Sequence, residues 1–143
     1  MYLTDHYNRT LDAKSRLTLP ADFRKQFDDR VCLVPFHGAL CGFTPEGHQK
    51  WVMSFFPNGF NPMDREQDQT RRKLSALTTT VDIDSAGRIA MSKVSEAIRK
   101  KFGLGKDLEI VGNVDHFEIF SAEKWAELQS SYLDEDLDSL LFD

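Results

Sequence analysis

The sequence predicts an α+β fold, mainly β, made of two tandem copies of one small β-rich module. Three observations predict it: an internal repeat that stays in order along the chain, short alternating apolar runs bounded by turn residues, and a basic helix recurring at the same place in each copy.

The repeat is read directly. Leu11-Asp12-Ala13-Lys14-Ser15-Arg16-Leu17-Thr18-Leu19 overlies Ile83-Asp84-Ser85-Ala86-Gly87-Arg88-Ile89-Ala90-Met91, with the apolar, Asp and Arg positions coinciding. Phe23-Arg24-Lys25-Gln26-Phe27 then matches Ile98-Arg99-Lys100-Lys101-Phe102, and Leu33-Val34 matches Ile110-Val111. Phe43-Thr44-Pro45-Glu46 finally matches Phe120-Ser121-Ala122-Glu123. The matches keep their order while the offset grows only by short insertions, which is how a duplicated unit diverges.

Within each copy the alternation of Leu17 and Leu19, and of Ile89 and Met91, predicts a strand leaving the Asp-x-x-x-Arg box. Pro20 suits the opening of a short helix whose Phe23 and Phe27 face inward, leaving Arg24 and Lys25 outward. The second copy repeats this with Ile98 and Phe102 inward, Arg99 and Lys100 outward, and Gly103 as the stop. Strands are expected around 31–35, 39–43, 108–112 and 116–120, with turns at Pro35-Phe36-His37-Gly38 and Gly112-Asn113-Val114-Asp115. Each copy closes with a helix capped by Thr44 or Ser121, and Trp125, Leu128 and Tyr132 line one stripe of the last. A connecting helix starts at Asn61-Pro62-Met63-Asp64 and runs to about Leu77, with Asp68 and Arg72 paired across one turn. The expected division is therefore 1–56 for the first module, 57–77 for the connection, 78–132 for the second module and 133–143 for an acidic tail.

Composition limits the functions open to this chain. No apolar stretch approaches the ~20 residues of a membrane span, and Met1-Tyr-Leu-Thr-Asp-His lacks the basic start and apolar centre of a secretion signal, so a cytoplasmic protein is expected. Cys32 and Cys41 read as buried apolar fillers, and His6, His37, His48 and His116 are scattered without a zinc-like spacing, so no metal site is expected. Asp82 and Asp84 read as strand residues entering a turn rather than as metal ligands. There is no phosphate-cradling glycine loop, nucleophile elbow or metalloprotease helix, so neither an enzyme nor a cofactor or small-molecule substrate is expected.

The net charge of −5 is unevenly spread. Residues 71–106 carry nine Lys/Arg against three acids, whereas 107–143 carry Lys124 alone against eleven. A local basic surface matters more to phosphate binding than the total. The tail, with its alternating acids and apolar residues, is expected to be mobile and to lie across the basic surface of its own or a neighbouring subunit.

A carboxylate four residues before an arginine, at a turn between extended segments, can pin a guanidinium. A pinned fork loses less entropy on meeting the O6 and N7 of guanine in the major groove. One such box alone would be read as a structural salt bridge. The same box twice, each with its basic helix, points instead to DNA: Arg16 and Arg88 as base readers, Lys14 as a second donor in the first copy, and Asp12 and Asp84 as their orienting acids. Arg9, Arg24, Lys25, Lys93, Arg99 and Lys100 are the candidate phosphate contacts.

These two boxes and the long connecting helix make the chain resemble the MraZ family, over Tyr7 to Tyr132. The resemblance implies two AbrB-like swapped-hairpin modules, forming a pseudo-twofold, β-barrel-like unit with flanking helices. It further implies a ring-shaped homo-oligomer and a nucleoid-associated regulator, generally a repressor, of the division and cell-wall operon that includes its own gene. Short G-rich direct repeats in double-stranded promoter DNA would be its sites. The sequence departs from the family pattern at Ser15, where the first box usually has Gly, at Ser92, where the second module often has Pro, and in three extra residues before Ile98. The competing reading is a non-enzymatic, ring-forming protein-interaction module in which the Asp–Arg pairs are structural.

Overall fold

A computed structural model describes residues 1–142; Asp143, the last residue of the acidic tail, lies outside them. The first copy gives β1 (His6–Thr10), β2 (Arg16–Thr18), α1 (Ala21–Arg24), β3 (Arg30–Phe36), β4 (Ala39–Phe43) and α2 (Pro45–Met53). After the connecting helix α3 (Arg65–Ala76) come β5 (Thr79–Asp82), β6 (Arg88–Ala90), a 3-10 turn at Met91–Lys93, α4 (Glu96–Lys101), β7 (Asp107–Gly112), β8 (Phe117–Ser121) and α5 (Ala122–Asp134). A short α6 (Leu137–Phe142) follows.

The strands form one six-stranded antiparallel sheet in the order β1-β7-β8-β4-β3-β5, and a separate β2-β6 pair. Exchanging each strand for its counterpart in the other copy turns that order into its own reverse. A pseudo-twofold axis therefore passes between β4 and β8, where Cys41 stands opposite Glu118. The leading strand of each copy pairs with the other copy: β1 with β7, β5 with β3, and β2 with β6. Single hydrogen bonds repeat the relation. The Leu19 amide donates to the Gly87 carbonyl and the Met91 amide to the Ser15 carbonyl. This is the swapped-hairpin arrangement. The sheet's hydrogen bonding does not close into a barrel, since β1 and β5 are its edges.

The core explains why these strands hold. Leu17 and Ile89 of the β2-β6 pair pack with Leu33, Leu40, Leu108, Ile110, Phe117 and Ile119 of the sheet and with Phe23 and Phe27. Each fully buried aliphatic or aromatic side chain of this kind stabilises the fold by about 1.5–3 kcal/mol. On the opposite face of the sheet, Phe43, Val34 and Cys41 pack with Trp51 and Phe36, and Phe120 with Trp125. At the seam Gly42 is required: a Cβ there would lie 2.3 Å from the Phe117 ring.

Local chemistry accounts for the helices. Thr44 Oγ1 accepts from the Gly47 amide and Ser121 Oγ from the Lys124 amide, as the capping patterns predict. Asp64 caps α3 by accepting from the Glu66 and Gln67 amides, and Asp68 pairs with Arg72 at 2.5 Å. Gly103, at φ +64°, ends the helical run after α4. Helix α1 is only one turn long, and Pro20 precedes it instead of occupying its first position. Phe27 lies beyond that turn yet is buried with Phe23. Tyr132, expected on the inner stripe of α5, is 60% exposed, its ring meeting Trp125 edge-on at 6.1 Å. The tail, expected to be mobile, contains α6 with Leu137, Leu140, Leu141 and Phe142 exposed, and no hydrogen bond or ion pair joins it to the basic helices among the described residues.

Candidate nucleic-acid interface

The two boxes have the same construction. Asp12 Oδ1 accepts from the amides of Lys14 and Arg16, both at 2.9 Å, and Oδ2 accepts from Arg16 Nε at 2.7 Å. Asp84 Oδ1 accepts from Ala86 and Arg88 at 3.0 and 2.9 Å, and Oδ2 from Arg88 Nε at 2.8 Å. One carboxylate thus folds its own turn and grips the arginine that ends it. These donors, the arginine's own amide foremost and then its guanidinium, hold both carboxyls below their ordinary value against the opposing effect of desolvation. The grip is on Nε, and both side chains are half-buried, 30% exposed for Arg16 and 31% for Arg88.

Ser15 and Gly87 occupy the same place in the two turns, and both have positive φ, 58° and 78°. Glycine reaches that region without cost; serine does so with strain. The departure from the family pattern at Ser15 therefore leaves the turn's shape intact.

Swapping brings the boxes together. In the β2-β6 register Arg16 stands opposite Ala90 and Thr18 opposite Arg88, so the arginines are diagonal neighbours on one face. Arg88 Nη1 lies 4.0 Å from Asp12 Oδ2, a contact between copies.

The candidate phosphate contacts divide into two kinds. Lys25 and Lys100, at equivalent positions, are 71% and 77% exposed and, among the described residues, engaged only by Asp22 and Glu96 of their own helices; Lys14 and Lys93 are exposed as well. Arg24 and Arg99 differ from the outward orientation expected of them. Arg24 Nη1 donates to the carbonyls of Phe27 and Asp28, and Arg99 Nε to that of Val94. Both guanidiniums turn back onto loop carbonyls that flank a short helix, Phe27 and Asp28 after α1 and Val94 before α4. Each arginine also lies against the other copy's box. Arg24 shares a groove with Arg9 and Ser85-Ala86-Gly87, and Arg99 one with Asp12, Ala13 and Ser15. Arg9 leans over the Tyr7 ring at 5.4 Å and donates to the Asn8 carbonyl.

One cluster escaped the sequence. Cys41, His116 and Glu118 place one potential ligand atom each within 4.8 Å of one another. No spacing rule finds it, because Cys41 meets the other two only through the β4-β8 pairing. No helix among the described residues is long and apolar enough to cross a membrane.

Fold and site together define a duplicated swapped-hairpin protein that carries two carboxylate-held arginines on one face of its β2-β6 pair. The MraZ protein family model matches residues 74–139. A Transcriptional regulator MraZ of Spiroplasma kunkelii is 34% identical over 127 residues, covering 87% of this chain and 85% of that one. Its counterpart in Corynebacterium urealyticum is 33% identical over 85% of this chain and 82% of its own. That of Lachnoclostridium phytofermentans is 30% identical over 94% and 92%. The chain belongs to the MraZ family.

Proposed function

We propose that the chain is a transcriptional regulator that binds double-stranded promoter DNA and reads short G-rich direct repeats through Arg16 and Arg88. The observation that carries this reading is the pair of half-buried guanidiniums, each held through Nε by its own carboxylate and set as diagonal neighbours on one face of the β2-β6 pair. Diagonal neighbours on paired strands are roughly 7–8 Å apart, on the order of two base-pair steps along one strand, which suits guanines close together. Asp12 and Asp84 orient the forks and do not touch DNA. Lys14, Lys25, Lys93 and Lys100 supply phosphate contacts, while Arg9, Arg24 and Arg99 line grooves beside the boxes and contribute positive potential there.

The relatives' name supports the regulatory role. The family resemblance supports its finer form: a ring-shaped homo-oligomer at the nucleoid that represses the division and cell-wall operon, its own gene included, with adjacent subunits engaging successive repeats. In this reading residues 1–56 and 78–132 are the two modules, 57–77 their connection and 133–143 a tail, and no catalytic step is involved.

A gel shift of the purified protein with a fragment of its own promoter tests the proposal. The wild type retards the fragment, and at the same concentration Arg16→Ala loses most of the shift while circular dichroism remains native. Failure of the wild type to bind overturns it in favour of a protein-interaction module.

A further inference from the structure

We propose that Cys41, His116 and Glu118 form a divalent-metal site of zinc type that clamps β4 of the first copy to β8 of the second. Their potential ligand atoms already lie within 4.8 Å of one another. Tetrahedral zinc with bonds of about 2.0–2.3 Å holds its ligands roughly 3.3–3.7 Å apart, so contraction by about 1 Å, within side-chain rotation, completes the set.

The fold explains why these residues meet. Cys41 and Glu118 are equivalent positions of the two copies, and the pseudo-twofold axis sets them directly opposite each other in the β4-β8 register. Side chains at that position must face each other across the seam, on the side of the sheet away from the arginine boxes. A pair of apolar residues would suffice for packing. Here one position carries a thiol and the other a carboxylate, and His116 joins them from the turn that leads into β8.

The surroundings orient the imidazole and the carboxylate. Asp115 Oδ1 lies 2.8 Å from His116 Nδ1, leaving Nε2 directed at Glu118 Oε2, 3.3 Å away. A carboxylate on the far nitrogen is the usual support of a metal-bound imidazole, fixing its tautomer and raising its basicity. The Phe43 ring stacks on the imidazole at 4.7 Å and 20°, which sets its plane. Asn113 Nδ2 donates to Glu118 Oε2 at 3.3 Å. Cys41 Sγ makes a long contact to the Phe36 carbonyl, at 3.8 Å.

The charge also fits. One thiolate and one carboxylate neutralise a divalent cation, and the thiol proton leaves to solvent as the metal–sulfur bond forms. His116 and Glu118 are 14% and 19% exposed, giving the ion a way in from the solvent side. Three protein ligands leave a fourth position for water or for a side chain of a second protein. The site joins strands of both copies, so the bound ion ties the halves at their axis.

The test uses the full chain, stripped with a chelator and kept reduced, titrated with cobalt(II). The wild type should develop a near-ultraviolet thiolate-to-cobalt charge-transfer band together with visible bands of tetrahedral cobalt, and zinc should bleach both. Cys41→Ser should lose the charge-transfer band while Cys32→Ser keeps it, and Glu118→Gln should weaken binding at least tenfold. Zinc should raise the thermal midpoint of the wild type and leave that of Cys41→Ser unchanged. A wild type without the charge-transfer band overturns the proposal, as does a band that survives Cys41→Ser. Should Cys41→Ser not fold, unchanged cobalt affinity in both His116→Gln and Glu118→Gln overturns it equally. None of these readouts depends on DNA binding.

Discussion

Arg88, which closes the second box, reaches within 4.0 Å of the Asp12 carboxylate that opens the first. The boxes are adjacent in space though seventy-two positions apart in sequence, because β2 and β6 pair. They are therefore expected to act as one surface. Arg16→Ala and Arg88→Ala should each lower promoter affinity by about 1–3 kcal/mol. The double variant should lose less than the sum, since residues sharing a partner couple. Fluorescence anisotropy of a labelled promoter duplex gives the three affinities, and strict additivity would separate the boxes.

The exposed lysines should behave differently. Lys25→Ala and Lys100→Ala should weaken binding alike on specific and scrambled duplexes, each reducing the slope of log affinity against log salt by about one. A selective loss on the specific duplex would make either lysine a base reader. Arg24→Ala and Arg99→Ala release backbone carbonyls in the loops beside short helices, so thermal unfolding should register them before DNA binding does.

Ser15 adopts the φ that Gly87 adopts in the other copy. Ser15→Gly should stabilise the protein by roughly 0.5–1 kcal/mol, the relief of a left-handed non-glycine residue less the added chain entropy of glycine. Gly87→Ser should cost a similar amount. Urea unfolding measures both, and a destabilised Ser15→Gly would show that the serine hydroxyl has a role of its own.

Gly42→Ala should be far costlier, because its methyl would meet the Phe117 ring at 2.3 Å. A loss of about 1–3 kcal/mol follows from forcing a packed seam apart, and Phe117→Leu in the same chain should recover part of it. Denaturant midpoints of the three variants decide.

Acid should affect the boxes late. Asp12 and Asp84 are held below the ordinary value of 3.8, so their contribution is fully present above 3.8 and is lost only as pH falls through the lower folded-state value. Carboxyl-carbon NMR titration should place both midpoints below 3.8. Asp12→Asn keeps an acceptor for the turn amides but gives up the charge on Arg16, and should reduce DNA affinity more than stability.

Features set within a few residues were legible in the sequence. The boxes, the Thr44 and Ser121 caps, the Asp68–Arg72 pair and the Gly103 stop depend on neighbours along the chain, and the structure has each of them. The exchange of strands between copies followed from the family resemblance; neither periodicity nor spacing reveals which copy a strand pairs with. The orientation of Arg24 and Arg99 differs from the outward one expected because their partners are loop carbonyls, whose positions are set only in the folded chain. The Cys41, His116 and Glu118 cluster was invisible because the two parts of it lie 75 and more positions apart and only the β4-β8 register unites them.

The exchange of strands also governs how the chain comes to be made. His6 pairs with Val111 and Arg30 with Asp82, so the first copy emerges from synthesis with β1 lacking its neighbour and one side of β3 open. Such edges invite pairing with other chains. Contacts this distant in sequence form slowly, and a nascent chain ending before β5 leaves both of these edges unsatisfied at once. The second copy thus serves the first as the strand donor that a separate subunit would otherwise provide, with the advantage that it arrives on the same polypeptide and at a fixed effective concentration.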